Sequence, residues 1–477
     1  MKTNVVKLSF GCAVAVLIFF ALQAFTKQKK DGVGGKSKYS NIIIILTDDQ
    51  GYGDVGFNGC KDIPTPNIDR IAKNGVVFRQ AYVTYAVCAP SRAGLLTGRY
   101  QDRFGYSRNP LYRPADPQQG LSLKEEMLPS FLKQFGYTTM GIGKWHLGAH
   151  IDYRPMQRGF DQFFGFSGGG HRYFPEELDI MSEDSACNEG ESYRTKLTRN
   201  GAVVEETEYL TDAFSREAVS FIRNNKVNPF FLYLAYNAPH TPMQASKKYL
   251  DRFQQIQDPK RKTYAAMVSA VDDGVGRILA TLEELKLTGN TLVVFLSDNG
   301  GPEQDNASDN GVMRGGKGSF FEGGIRVPFA MQWPDYIPTG TEYHKPVISL
   351  DIFATIAAHL KAQAKLKQPL DGVDLLPYVT GKNSGVPHEY LFWRHYDQKR
   401  YAVLHHSGMK EFIPNDSTRN VFNLSADIGE KVNVAGQQKE MLDKFEQQRK
   451  TWEAQMIAPV IWGLNQEAQY QKGKNPL

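Results

Sequence analysis

Apolar residues gather in short runs between residues 41 and 296, and several runs end on polar side chains of catalytic type. Asn41-Ile-Ile-Ile-Ile-Leu46 is a continuous β-branched run, the pattern of a strand covered on both faces, and Thr47-Asp48-Asp49 follows it. Residues 137 to 142 lead into Gly143-Lys144-Trp145-His146, residues 229 to 236 into Asn237-Ala-Pro-His240, and residues 291 to 296 into Ser297-Asp298-Asn299-Gly300. Helical spacing of apolar positions predicts helices over 67–74, 127–135, 212–224, 262–285 and 348–360. Strands alternating with helices predict an α/β fold with a large, mostly parallel sheet flanked by helices. In such sheets ligands bind beyond the carboxyl ends of the strands, where all four polar clusters fall.

The pattern changes after residue 380. Short apolar-aromatic pieces at 390–393, 401–404 and 420–424, separated by turn residues, predict a small antiparallel sheet, and 441–456 reads as a terminal helix. We therefore expect a main domain over 39–380 and a smaller C-terminal α+β subdomain over 381–477. At the other end, Lys2 and Lys7 precede an apolar run from residue 8 to 25, as in a secretory signal. Residues 1–30 are read as that signal or as an uncleaved anchor, the run being 18 residues long, and 31–38 as a linker. The location implied is periplasmic or secreted, with membrane contact only if the segment stays uncleaved.

Composition sharpens this little: 41% hydrophobic and 22% charged residues in 477 is ordinary globular usage. The net charge of +5 comes wholly from five lysines before residue 31, leaving 51 basic and 51 acidic side chains. That balance gives no support for nucleic-acid binding, which rests on clustered basic residues. After the signal only Cys60, Cys88 and Cys187 remain, too few for a disulfide-dependent scaffold.

Asp48, Asp49, Asp298 and Asn299 are hard oxygen donors, suited to Ca²⁺ or Mg²⁺ and poor for zinc; without a cation, three carboxylates at neighbouring strand ends would repel one another. Taken separately, Asp-Asp after a strand is equally a helix cap and Asp-Asn-Gly a turn. Lys144 and His146, one residue apart, fall on the same side of an extended backbone and pair a fixed cation with a titratable imidazole.

Residues 88 to 99, Cys-Ala-Pro-Ser-Arg-Ala-Gly-Leu-Leu-Thr-Gly-Arg, resemble the signature of formylglycine-dependent (type I) sulfatases. Residues 47–54 and 297–301 resemble that family's metal segments, and Gly141-Ile-Gly-Lys-Trp-His-Leu-Gly148 its second signature. His240, within Pro-His-Thr-Pro, and Lys317, in the loop 314–326, stand where the family places a leaving-group histidine and a sulfate-binding lysine. The resemblance spans residues 40 to about 435. It implies an alkaline-phosphatase-like fold and sulfate ester hydrolysis, with Cys88 oxidised to Cα-formylglycine by a maturation enzyme and its hydrated aldehyde as nucleophile.

By the same resemblance, Asp48, Asp49, the converted Cys88, Asp298 and Asn299 hold Ca²⁺, or less favourably Mg²⁺. Arg92 and Lys144 stabilise the nucleophile, His146 takes a proton, His240 serves the leaving group, and Lys144 with Lys317 neutralises the transferring sulfate. Glu322 and Arg326 are expected to brace the lysine loop, and Asp54 to be structural. If Cys88 is converted, Cys60 and Cys187 are the one pair left for a disulfide. Two rivals stand beside this reading: a phosphonate or phosphodiester hydrolase of the same superfamily, and a silent sulfoglycan-binding protein, which should have lost a catalytic position. For substrate, His171 and Arg172 after a Gly triplet, and Arg394 within Trp393-Arg-His-Tyr396, mix aromatics with cations. They are read as rim residues for a sulfated saccharide of galactose or galactosamine type, with a broad arylsulfatase as the alternative. The polar stretch 173–208 is expected to shape that rim.

Overall fold

The computed structural model describes residues 39–473; the signal and linker expectations on residues 1–38 lie outside the described residues. Among the described residues no helix is long and apolar enough to cross a membrane. Sixteen strands are described. They are β1 (Asn41–Thr47), β2 (Val76–Phe78), β3 (Ala81–Tyr82), β4 (Thr138–Lys144), β5 (Gln162–Phe166), β6 (Thr198–Arg199), β7 (Ala202–Val203) and β8 (Phe230–Ala235). There follow β9 (Thr291–Ser297), β10 (Phe329–Gln332), β11 (Thr341–Tyr343), β12 (Val347–Ile348), β13 (Tyr390–His395), β14 (Arg400–His405), β15 (Met409–Asn415) and β16 (Thr418–Asn423).

Ten of these form one sheet in the order β11-β2-β10-β9-β1-β8-β4-β5-β6-β7. Its centre, β9-β1-β8-β4-β5, is parallel, with Ile44 of β1 opposite Tyr233 of β8 and Val294 of β9. Beyond that centre, β10 pairs antiparallel to β9 and β6 to β5, making the sheet mixed as expected. Strand alternation explains why β1 is apolar throughout. Ile43 and Ile45 join a core with Phe214 and Phe221 of helix Leu210–Asn224 and Val268 of helix Pro259–Glu284. Ile42, Ile44 and Leu46 face the other way, onto Leu96 of helix Cys88–Thr97, Phe131 of Leu128–Lys133 and Phe353 of Asp351–His359.

The C-terminal sheet is the antiparallel meander β13-β14-β15-β16. It contains β15 in addition to the three strands the sequence pattern predicts. One face, with Leu391, Trp393 and Phe412, shares a core with Tyr82, Tyr85 and Ile325; Val403 and Val421 on the other receive Phe445 of helix Lys439–Glu453. Cys60 and Cys187 are both free, so the disulfide is not formed.

Candidate active site

The four polar clusters converge. Because β9, β1, β8 and β4 are adjacent and parallel, their carboxyl ends bring Asp298, Asp48, His240 and Lys144 to one edge of the sheet. Helix Cys88–Thr97 delivers Cys88 as its first residue, and all ten of its residues are buried. Lys317 arrives on the loop before helix Glu322–Ile325, which Gly318 N ties to Ala86 O at 2.8 Å. Asp49 and His146 have left-handed backbones, with φ of 63° and 60°; a non-glycine residue there stores strain of the kind that clusters at functional sites.

Each carboxylate has a cation of the chain's own. Arg92 Nη2 lies 2.8 Å from Asp298 Oδ2, Lys144 Nζ 2.7 Å from Asp48 Oδ2, and Lys317 Nζ 2.7 Å from Asp49 Oδ2. The three acids are therefore matched by three cations of the chain itself, which offset part of the repulsion expected among them. Burial raises the Asp298 carboxyl, with Asp48 adding to the effect. Burial would raise Asp49 too, but Lys317, His240 and Lys144 outweigh it and hold the group below its usual range.

Both His146 ring nitrogens are buried without a hydrogen-bond partner among the described residues, and burial, then Lys144 and Arg92, hold the ring well below the usual histidine range. His240 Nδ1 bonds Thr241 O at 2.6 Å, leaving Nε2 to face Asp49 Oδ2 at 3.5 Å; burial, then Lys317, lowers it to about 3. Burial pushes the Cys88 thiol up to about 12, so unconverted it is a protonated thiol and a weak nucleophile.

Asp48, Asp49, Cys88 and His240 each offer an atom within 4.8 Å of the others, a group able to hold a metal. Asn299 adds a buried Oδ1 with no hydrogen-bond partner among the described residues, and its Nδ2 donates to Asp49 Oδ1 at 2.6 Å. Three carboxylates and an orphaned amide oxygen suit a hard divalent cation.

Bracing residues behave as the sequence suggests. Glu322 Oε2 accepts from Tyr82 (2.8 Å) and Arg326 (3.2 Å), and its Oε1 accepts from Lys410 Nζ at 2.8 Å. Asp54 is buried against Arg261 (2.7 Å) and Tyr264 (2.6 Å).

The expected rim is corrected in two places. His171 is fully buried, stacked on Phe166 with ring centroids 4.4 Å apart, and its two nitrogens lie 2.9 and 2.8 Å from the carbonyls of Arg172 and Thr195. Two carbonyl acceptors favour the charged ring, but burial dominates and lowers it to about 4. Arg394 is buried too, 3.0 Å from Asp102 and bonded to Ile457 O. Arg172 is half-exposed but spent on Glu177 at 3.4 Å.

Sequence reasoning missed Glu189 and Tyr193, which the polar stretch 173–208 brings to the site. Glu189 accepts from Gly169 N at 3.1 Å, and a Cβ on Gly169 would lie 2.4 Å from Glu189 Oε1 and 2.9 Å from His146 Nε2. The Tyr193 ring meets His240 edge-on at 6.4 Å. Only glycine admits so close an approach, and the Gly triplet was the signal that could have pointed to it.

Comparison with known proteins agrees with this geometry. The Sulfatase family model matches residues 40–362. N-acetylgalactosamine-6-sulfatase of Sus scrofa is 36% identical over 364 residues, 72% of this chain and 67% of that one. Steryl-sulfatase of Homo sapiens is 32% identical over 422 residues, 74% and 71% of the two chains. The crystal structure of Ps i-CgsB in complex with k-i-k-neocarrahexaose matches with a TM-score of 0.84 at 38% identity, covering 91% of this chain and 97% of that one. The fold is the alkaline-phosphatase-like one, and the chain belongs to the sulfatase family and hydrolyses sulfate esters.

Proposed function

We propose that the substrate is a sulfated saccharide of galactose or galactosamine type, cleaved by an exported enzyme whose Cys88 a maturation enzyme has converted to Cα-formylglycine. The observation that carries this reading is the 38% identity, along nearly the whole of both chains, to a structure solved with a neocarrahexaose; the N-acetylgalactosamine-6-sulfatase relative supports it. The apolar run at residues 8–25 supports export.

In this reading Asp48, Asp49, Asp298 and Asn299, with the residue made from Cys88, hold a divalent cation, Ca²⁺ by donor chemistry. When present, the formylglycine supplies the hydroxyl that takes up the sulfuryl group and the cation supplies positive charge to a sulfate oxygen. The chain's own residues do the rest. Arg92 is fixed by Asp298 and by Lys144 O at 3.0 Å, and so presents its guanidinium beside residue 88. Lys144 and Lys317 supply the charge that the transferring group meets, stabilisation of the kind that dominates many enzymes. His146 is neutral, and neither of its nitrogens has a hydrogen-bond partner among the described residues, so in this reading it is the group placed to accept a proton. His240 presents Nε2, since Nδ1 is committed to Thr241 O. Because the ring is neutral at rest, protonating the leaving oxygen requires a proton gained along with the negative charge of the substrate.

A panel of defined sulfated oligosaccharides, scored by released sulfate and by the position that lost it, tests the proposal. Turnover of a small aryl sulfate with no saccharide cleaved would overturn the saccharide assignment and leave the sulfatase activity untouched.

A further inference from the structure

Beside the sulfate end lies a cavity of ≈ 260 Å³ whose lining includes Val87 and Gly318, the neighbours of Cys88 and Lys317. Its far wall is built by the β13–β14 hairpin, with His395 and Arg400, and by the tail segment Gly463–Gln466. Those walls lie outside residues 40–362, the part matched by the family model. The tail is held by Arg108 Nη1 on Ile461 O at 2.8 Å and by Leu111 N on Trp462 O at 3.3 Å. The volume is at the small end of ligand sites, room for about one sugar ring.

The charges in this cavity do not cancel. Arg108 Nε donates to Asp397 Oδ2 at 2.9 Å, so that cation and that carboxylate neutralise each other. His395 and Arg400 are opposed across the hairpin, which sets their side chains on one face of the sheet. Burial lowers His395; Asp397 favours its charge and Arg400 opposes it. The Arg400 side chain is half-buried and has no carboxylate or hydrogen-bond partner among the described residues. Two further lining groups lack partners among the described residues: the buried Nδ1 of His395 and the buried Oγ of Ser107. Buried polar groups are ordinarily satisfied; here two that are not stand behind a wall that also carries an uncommitted cation, and the charge left open to the cavity, that of Arg400, suits an anionic ligand.

We propose that this cavity is a subsite for a second anionic substituent of the substrate and that Arg400 binds it. The sugar that loses its sulfate carries, on itself or on the sugar bonded to it, a further sulfate or a carboxylate. This rests on the saccharide reading above and adds a charge requirement to it. Arg400 is a specificity residue: it touches the second anion and not the reacting atoms.

The test is equilibrium binding to the full chain carrying Cys88→Ala, so that no probe is consumed. The probes are N-acetylgalactosamine 6-sulfate, N-acetylgalactosamine 4,6-disulfate, a 6-sulfated disaccharide bearing a uronic acid, and 4-nitrophenyl sulfate. A charge-assisted contact predicts that at least one doubly anionic probe binds about tenfold more tightly than the monosulfate. Adding Arg400→Gln should bring that ratio to near one, and Arg400→Lys should restore part of it. 4-Nitrophenyl sulfate should bind all three proteins within about twofold, which also shows that the sulfate end is folded. Preference for the disulfate places the second anion on the same ring; preference for the uronyl disaccharide places it on the adjoining one. A ratio near one before Arg400 is changed, a ratio that survives Arg400→Gln, or an equal loss for 4-nitrophenyl sulfate would each overturn the proposal. Sulfate release from the same saccharides by the enzyme with Cys88 intact reports separately on the saccharide reading.

Discussion

At the sulfate end every charge is met within the chain: Arg92 by Asp298, Lys144 by Asp48, Lys317 by Asp49. At the saccharide end Arg400 stands opposite His395 with no carboxylate to hold it. The first region is a largely buried set of ion pairs, its acids hung on the ends of adjacent strands, with only Lys317 partly exposed. The second is a half-open cavity assembled from a hairpin, a tail and the approach to Cys88. The contrast separates two tasks. Sulfuryl transfer needs charges fixed before substrate arrives, because preorganisation is what stabilises the transition state. Recognition in the cavity falls to a cation that no carboxylate holds, whose charge-assisted hydrogen bonds are still to be made when substrate arrives.

The largest effect expected is at the sulfate end. Cys88→Ala should lower kcat by at least about three orders of magnitude, since removing a nucleophile collapses the group that acts with it. Circular dichroism and Tm should stay close to those of the parent, because one small buried side chain costs on the order of 1–3 kcal/mol. Chelation followed by elemental analysis comes next. Activity should vanish and return with Ca²⁺ or Mg²⁺ better than with Zn²⁺. Since each acid keeps its own cation, the metal-free chain should still unfold cooperatively; full turnover with no metal detected would break the comparison.

Arg394→Ala sharpens the boundary between the regions. It strands Asp102, whose carboxyl burial already raises to about 6, and should cost about 3–5 kcal/mol. A loss confined to saccharide KM, with Tm unchanged, would return Arg394 to the rim. The smallest effect concerns His171. Its folded value of about 4 lies below the unfolded value near 6.5, so between those pH values the unfolded chain binds a proton that the native ring refuses. Its contribution is present above pH 6.5 and is lost as pH falls toward 4. Against the parent protein, His171→Asn should flatten the fall of Tm between pH 7 and 4.5.

The sulfate end was legible because it is local in sequence. Short apolar runs marked the strands, and the residues directly after each run supplied the chemistry, so the strand ends could be read without knowing the strand order. The rim was not legible in the same way. Trp393-Arg-His-Tyr396 was read as one cluster, yet strand alternation splits it: Trp393 packs in the core, Arg394 meets buried Asp102, and His395 reaches the cavity. Counting across the hairpin from His395 would have found Arg400. β15 hid behind its own polar residues, Lys410 and Glu411, both fully buried. The charge on Lys410 is met by Glu322 and Glu430 at 2.8 and 2.9 Å, distant partners that no local pattern announces. His171 hid likewise, a histidine whose partners are backbone carbonyls.

The central claim is that Cys88 is matured before it works, and the most direct measurement is the mass of the peptide that contains it. In enzyme produced with a competent maturation system and assayed for sulfate release, that peptide should be about 18 Da lighter than its cysteine form, the aldehyde having replaced the thiol. The fraction converted should track specific activity from one preparation to the next. A fully active enzyme in which residue 88 is only unmodified cysteine would contradict the account.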